Sequence, residues 1–322
     1  MAVVSDGSAI LGLGNLGPEA ALPVMEGKAA LFKRFADVDA WPVCIDSQDV
    51  DEIVRTVQIL APVYGGINLE DISAPRCFEV ERKLRDLLDI PVFHDDQHGT
   101  AVVVLAALNN AIKLVNKNLA DCKIIMSGVG AAGTAIARLL VASGAKKIIG
   151  FDKDGLVCDH KSGDDAIRTW FVDNCSPGDF RGDIHEAIKG ADIFIGVSAP
   201  NILGESDMAA MAKDAIVFAL ANPDPEVDPM IARKYAKVVA TGRSDQPNQI
   251  NNVLAFPGIF RGLLDGRITK INDKMLIAAA NAIASCVSSD QLNVNFIVPS
   301  VFDQQVVTKV AEAVKSLGKS NA

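Results

Sequence analysis

Two pairs of adjacent acids, Glu70-Asp71 and Asp95-Asp96, each follow a short apolar run that reads as a strand end. Neighbouring carboxylates repel, so a pair set at the mouth of a parallel sheet calls for a compensating cation. Donors that are all oxygen suit a hard divalent ion, Mg²⁺ or Mn²⁺, rather than zinc. A solvated loop has the same composition, and residue types alone leave both readings open. His94 and His98 have the i, i+4 spacing of a helical zinc pair, but they straddle a strand end and a turn. The acid of an HExxH motif is also missing, so no zinc site is expected. Lys28 lies in an apolar helical stretch, Val24-Met-Glu-Gly-Lys-Ala-Ala-Leu-Phe32. Such a lysine ordinarily snorkels to water; desolvated in a cleft, it becomes a candidate general base.

The pattern GxGxxG occurs twice. In Gly128-Val129-Gly130-Ala131-Ala132-Gly133 it follows a β-branched run, residues 123–126, and opens a helical pattern over 131–143. The next strand ends at Asp152, about twenty residues on, where a dinucleotide fold places the acid that meets the adenosine ribose. The two leading glycines allow a tight turn and close approach to a pyrophosphate. The third lets helix and strand pack, and the helix N-terminus supplies free N–H groups. NAD or NADP is therefore expected, with Asp152 favouring NAD and the adjacent Lys153 weakening that preference. The other copy, Gly12-Leu-Gly-Asn-Leu-Gly17, precedes Pro18 and has no acid closing a second strand, so a structural loop is expected there.

Short β-branched runs alternate with helical patterns along nearly the whole chain. Strands are expected at 41–45, 90–93, 123–126, 147–151, 192–197, 216–220 and 237–240. Helices are expected at 49–60, 75–88, 100–115, 131–143 and 272–287. Asp49 and Glu52 stand at capping-box spacing at the start of the first. Strands that are apolar on both faces and alternate with helices imply α/β architecture. The expected form is a Rossmann-type doubly wound dinucleotide domain plus a second α/β domain for substrate and metal. Breaks near residues 94–99 and 246–252 divide the chain into 1–96, 97–251 and 252–322, the last returning to the first domain.

The chain has 322 residues and a formal net charge of −9, without a basic stripe, so nucleic acid is not an expected partner. The apolar run 101–108 stops at Asn109-Asn110, short of a membrane span, and no membrane partner is expected. Six cysteines with no CxxC pair fit a reducing, cytoplasmic setting.

Several longer stretches together resemble the malic enzymes, in their compact bacterial form. They are Val4-Ser-Asp-Gly-Ser-Ala-Ile-Leu-Gly-Leu-Gly-Asn-Leu-Gly17, Pro23-Val-Met-Glu-Gly-Lys28, Gly66-Ile-Asn-Leu-Glu-Asp71 and Phe93-His-Asp-Asp-Gln-His-Gly-Thr100. Phe218-Ala-Leu-Ala-Asn-Pro223, Asn251-Asn252 and Phe256-Pro-Gly258 extend the likeness over essentially the whole chain. The resemblance implies oxidative decarboxylation of L-malate to pyruvate and CO₂ with NAD or NADP and a divalent metal, Mg²⁺ or Mn²⁺. It implies Glu70, Asp71 and Asp96 as metal ligands and Lys28 as the base at the C2 hydroxyl, assisted by Asp95. Lys28, Asn222 and Asn252 would contact substrate, Asn222 also the nicotinamide, and residues 128–133 the pyrophosphate. A homodimer or higher homo-oligomer is expected.

The sequence departs from that pattern in two places. The family's general acid is a tyrosine in an N-terminal Tyr-Thr-Pro-Gly motif, and neither Tyr64 nor Tyr235 stands in such a motif. An N-terminal segment is accordingly expected to be lacking. Ser8-Ala9 occupies the place where larger relatives carry an arginine. The alternatives are a metal-independent two-domain amino-acid or hydroxy-acid dehydrogenase, or a catalytically weakened nucleotide-binding relative.

Overall fold

The computed structural model describes residues 1–161, 166–175 and 177–318. Its elements begin with β1 (Ala2–Ser5), α1 (Pro18–Ala36), β2 (Trp41–Cys44), α2 (Val50–Leu60), β3 (Ile67–Leu69), α3 (Arg76–Leu87) and β4 (Val92–His94). A single π turn, Asp95–Gly99, leads directly into α4 (Thr100–Val115). The middle of the chain contains β5 (Lys123–Ser127), α5 (Ala131–Ala142), β6 (Lys147–Asp152), β7 (Gly155–Leu156), α6 (Ala166–Asn174), α7 (Ile184–Ala187) and β8 (Ile193–Gly196). It continues with α8 (Glu205–Ala209), β9 (Ile216–Ala219), α9 (Pro229–Tyr235) and β10 (Val238–Thr241), and α10 (Phe256–Gly266), α11 (Asp273–Ala284) and α12 (Gln304–Gly318) close the chain.

These elements form two compact units. The first comprises Met1–Val102, Asn252–Ile283 and Ser300–Ala322; the second comprises Val103–Asn251 and Ala284–Pro299. The divisions differ from those drawn on the sequence at two places. The first lies past residue 96, because the π turn and the first turn of α4 carry Asp95 and Thr100, which bond to Lys28 and Asn252 of unit 1. Residues 284–299 stay with unit 2 because buried Asn110 donates to the carbonyls of Ala284 and Ile297. Asn248 likewise donates to Val294 O and accepts from Ile297 N.

Unit 1 holds a four-stranded, all-parallel sheet in the order β2-β1-β3-β4. Its core is aromatic: Phe32 of α1 meets Phe256 and Phe260 of α10 edge-on at 4.6 and 5.3 Å, and Phe260 meets Phe93 of β4 at 5.7 Å. The helices α6 to α10 and α12 lie outside the sequence expectation, although α10 carries the core of this unit. At the start of α2, Asp49 Oδ1 accepts from the backbone N–H of both Asp51 and Glu52. The Glu52 side chain takes the Ser47 hydroxyl instead of closing a reciprocal box.

Unit 2 holds a six-stranded sheet, β10-β9-β8-β5-β6-β7, parallel except for the short edge strand β7. Numbering its parallel strands from β5 gives the doubly wound order 2-1-3-4-5, whose topological switch falls between β5 and β8. The helix Asp95–Val115 is long and apolar enough to cross a membrane by composition, but 61% of its most apolar window is buried within the protein. Residues 101–108 are all buried core.

Candidate active site

In unit 1 the C-terminal ends of β3 and β4, being neighbours in one parallel sheet, deliver both acidic pairs to the same place. Lys28 is on the buried stripe of α1 with Ala21, Met25, Phe32 and Ala36, and is only 8% exposed. Its Nζ does not escape to water. It donates to Asp95 Oδ2 at 2.5 Å and Glu70 Oε1 at 2.9 Å, and lies 3.9 Å from the centroid of the Phe256 ring. Burial opposes the charge on Lys28, but Asp95 and Glu70 outweigh it and raise the pKa above the ordinary lysine value.

Glu70, Asp71 and Asp96 each present a carboxylate oxygen within 4.8 Å of the other two. Burial and mutual repulsion drive Glu70 well above the usual carboxylate range and push Asp71 up to about 7. Asp96, although burial disfavours its charge, is held low by the His94 ring and by Lys28. An octahedral Mg²⁺-like ion at about 2.1 Å sets its oxygens roughly 3–4 Å apart. Three hard oxygen donors at this spacing, with more negative charge than the local cations balance, therefore fit a divalent ion. The two histidines do not join them. His94 Nδ1 is 2.8 Å from Gln97 Nε2, its Nε2 is 3.1 Å from Asp96 Oδ2, and His98 Nε2 is 2.8 Å from Glu81 Oε1. They form the buried support behind the acids.

Four of these supports were not anticipated from the sequence. Glu81 occupies a core position of α3 beside Cys77, Val80 and Leu84, and a lone acid in that stripe was the available signal. Asn68 of β3 donates to Glu70 Oε2 at 2.9 Å, and Thr100 shares Asn252 with Asp95. Gly99 is the fourth: a Cβ there would lie 1.8 Å from Asp95 Oδ1, so only glycine leaves room for that carboxyl group. Asn252 itself donates to Asp95 Oδ2 at 3.2 Å. Within unit 1, Tyr64 precedes β3 at the end opposite Glu70 and does not lie with this cluster; Tyr235 belongs to α9 of unit 2, where it donates to Glu205. The leading loop 7–17 closes on itself, with Leu16 and Gly17 donating to Gly7 O, and Glu19 puts a negative charge in the first turn of α1.

In unit 2 the glycines of 128–133 divide their work. Gly128 has φ +97°, and a Cβ on it would meet Val197 O at 2.6 Å; a Cβ on Gly133 would meet Gly128 O at 1.8 Å. Both are required for packing at the β5/β8 switch. Gly130 has no protein atom within 4 Å of the Cβ position, so packing does not demand glycine there. That open cradle, at the uncapped N-terminus of α5, is what a pyrophosphate would fill. Val129 faces away, its side chain buried against the sheet near Gly150, so only its backbone is available to a ligand; Ala131 and Ala132 are half-buried in the first turn of α5.

Asp152, at the end of β6, pairs with Arg168 and accepts from Asp154 N at 2.8 Å. Asn222 follows β9, its Nδ2 donating to Leu220 O. Beneath it lies Glu226, fully buried: Oε1 accepts from Ser198 N at 2.7 Å and Oε2 from Ala221 N at 3.1 Å, tying the loops after β8 and β9 together. Burial lifts its pKa against the lowering effect of those hydrogen bonds.

Against known families, residues 1–85 match the malic enzyme N-terminal domain and residues 97–317 the malic enzyme NAD-binding domain. The chain belongs to the malic enzyme family. It is 57% identical over 98% of its length to the NAD-dependent malic enzyme of Geobacillus stearothermophilus, and spans 66% of that protein. It is 52% identical, again over 98%, to the bifunctional malic/malolactic enzyme of Bacillus subtilis, spanning 77% of it. The crystal structure of the NAD-dependent malic enzyme from Thermotoga maritima superposes with a TM-score of 0.93 at 48% identity, covering 98% of this chain and 83% of that one. The doubly wound dinucleotide unit and the second α/β unit are thus those of a malic enzyme.

Proposed function

We propose that the chain carries out the oxidative decarboxylation of L-malate to pyruvate and CO₂ with reduction of NAD or NADP. One observation carries this reading. The candidate base Lys28 and the candidate metal cluster share a carboxylate, Glu70, so that a hydroxy acid bound at one is presented to the other.

Glu70, Asp71 and Asp96 would hold the divalent ion and residues 128–133 the dinucleotide pyrophosphate, and Asn222 would contact the nicotinamide, as the malic enzyme resemblance implies. When bound, the ion supplies Lewis-acid polarisation of substrate oxygens, and the dinucleotide accepts the C2 hydride. Lys28 Nζ takes the C2 hydroxyl proton once its own proton has passed to Asp95 Oδ2, 2.5 Å away. Asn252, donating to the same Asp95 oxygen, holds that carboxyl group in register. Loss of the hydride and the hydroxyl proton converts malate to the β-keto acid. The C3–C4 bond then breaks to release CO₂, and the electron pair left behind becomes the C2–C3 double bond of the enolate, which a proton delivered to C3 converts to pyruvate. Asp152 at the ribose favours NAD in this reading.

Self-association belongs to the same proposal and is supported by Leu11, Leu13 and Leu16, all more than half exposed on one loop. A reducing cytosol is likewise part of it, supported by six cysteines that are all free thiols. The test is malate-dependent formation of NADH or NADPH with Mn²⁺. Activity is expected to vanish in excess EDTA and in Lys28→Ala, with dinucleotide binding retained in both. Full turnover in EDTA would assign the chain instead to metal-independent dehydrogenase chemistry.

A further inference from the structure

Asp152 ends β6 where a doubly wound fold brings the adenosine ribose. A solitary carboxylate at this position accepts the ribose hydroxyls of NAD and repels the 2′-phosphate of NADP. Here the carboxylate is not solitary. Arg168, from α6, bonds through Nη1 to Asp152 Oδ2, and both side chains are more than four-fifths buried (17% and 18% exposed). The other oxygen, Oδ1, accepts from Asp154 N at 2.8 Å, and exposed Lys153 adds a second cation beside the pair. Each carboxylate oxygen keeps a lone pair for a ribose hydroxyl, so the pairing leaves recognition of NAD intact while cancelling the repulsion that would exclude NADP.

We propose that Arg168 is a specificity-determining residue that gives this chain dual cofactor use, holding Asp152 when NAD is bound and turning its fork to the 2′-phosphate when NADP is bound. A planar guanidinium with five donors suits both partners, because carboxylate and phosphate present the same spacing of oxygens. Sixteen positions separate Arg168 from Asp152, so the first strand–turn–helix segment, the part that motif reading inspects, does not contain it. The inference rests on the reading of Asp152 as the ribose residue.

The experiment is fluorescence titration of the full chain with NADH and with NADPH, in wild type, Arg168→Gln, Arg168→Lys and Asp152→Asn. Wild type is expected to bind the two within about tenfold of each other. Arg168→Gln is expected to lose about tenfold or more of its NADPH affinity with little change for NADH, the size of one charge-assisted contact. Arg168→Lys should retain most of the NADPH affinity, and Asp152→Asn should shift the balance toward NADPH. An unchanged NADPH:NADH ratio in Arg168→Gln, with a shifted one in Asp152→Asn, overturns the role of Arg168 and leaves Asp152 at the ribose. No shift in either variant removes Asp152 from the ribose, and the proposal falls with it. Should Arg168→Gln fail to fold, the test becomes displacement of NADH from wild type by 2′-phosphorylated AMP and by AMP. Displacement within about tenfold supports the proposal, and rejection of the phosphorylated fragment by about a hundredfold or more overturns it.

Discussion

At the scale of single residues, the glycines separate packing from ligand space. Gly133→Ala drives a methyl group to 1.8 Å from the Gly128 carbonyl oxygen, and overpacking of this kind costs about 1–3 kcal/mol or more. Gly130 has φ −103° and open space at its Cβ position, so Gly130→Ala leaves the melting temperature essentially unchanged. What it removes is the close backbone approach to a pyrophosphate, and dinucleotide affinity should fall by about tenfold or more. Calorimetry and titration on the two variants check this. Tight NADH binding by a normally melting Gly130→Ala would show that the cradle is not used. Gly99→Ala belongs with Gly133→Ala in stability, since its methyl displaces the Asp95 carboxyl group, but it should also abolish malate turnover. The glycine motif, both acid pairs and Lys28 were legible as types and spacings. Gly99 was not, because a requirement for empty volume is written in three dimensions and leaves no chemical signature in a sequence.

The element that best shows how strand ends are held is the segment between β9 and α9. Glu226 there fastens the loops after β8 and β9 by accepting backbone N–H groups from both. A glutamine can offer an oxygen to only one of those donors and turns its NH₂ against the other, so Glu226→Gln should cost about 1–3 kcal/mol at low pH. Because the folded-state pKa of Glu226 is raised above its unfolded value, the native state holds the proton more tightly. Stability from this group is complete below the unfolded value and is lost as pH climbs through the folded one. The melting-temperature advantage of wild type over Glu226→Gln is therefore expected to shrink as pH rises above about 4.5, and an advantage that grows instead would reverse the assignment. Most strand positions and the helices α2 to α5 and α11 were legible, because β-branched runs and amphipathic periods are local properties. The aromatic helix α10 was not. Seven of its residues are buried, but it opens Phe256-Pro-Gly258 and carries a second glycine at 262, and Pro-Gly and interior glycine read locally as a turn rather than a helix.

For the molecule as a whole, the candidate metal cluster and the candidate dinucleotide turn fall in different units, so the two proposed bindings should be separable. The carboxylate cluster is in unit 1 and residues 128–133 in unit 2. Mn²⁺ at about a hundredfold over its Kd is expected to stabilise the protein by roughly 2.7 kcal/mol. The thermal shift should disappear in Asp96→Asn while NADH titration stays as in wild type. Loss of NADH binding in that variant would contradict the separation. The α/β layout was legible from alternation and the doubly wound unit from alternation together with the glycine motif, whereas the strand order and the ownership of residues 284–299, the latter decided by buried asparagines far away in the chain, are reported by no local pattern. Unit 1 is assembled from three separated stretches, and Phe256 and Phe260, the partners of Phe32, arrive in the second. At ribosomal speeds of about 5–20 residues per second, the sheet β1–β4 waits roughly 10–30 s after its last strand is synthesised before α10 exists to cover it. Through that interval Phe32 and Phe93 stand without their aromatic partners, so a chain ended before α10 is expected to aggregate rather than to yield a smaller folded protein, which the soluble fraction of such a truncation would show.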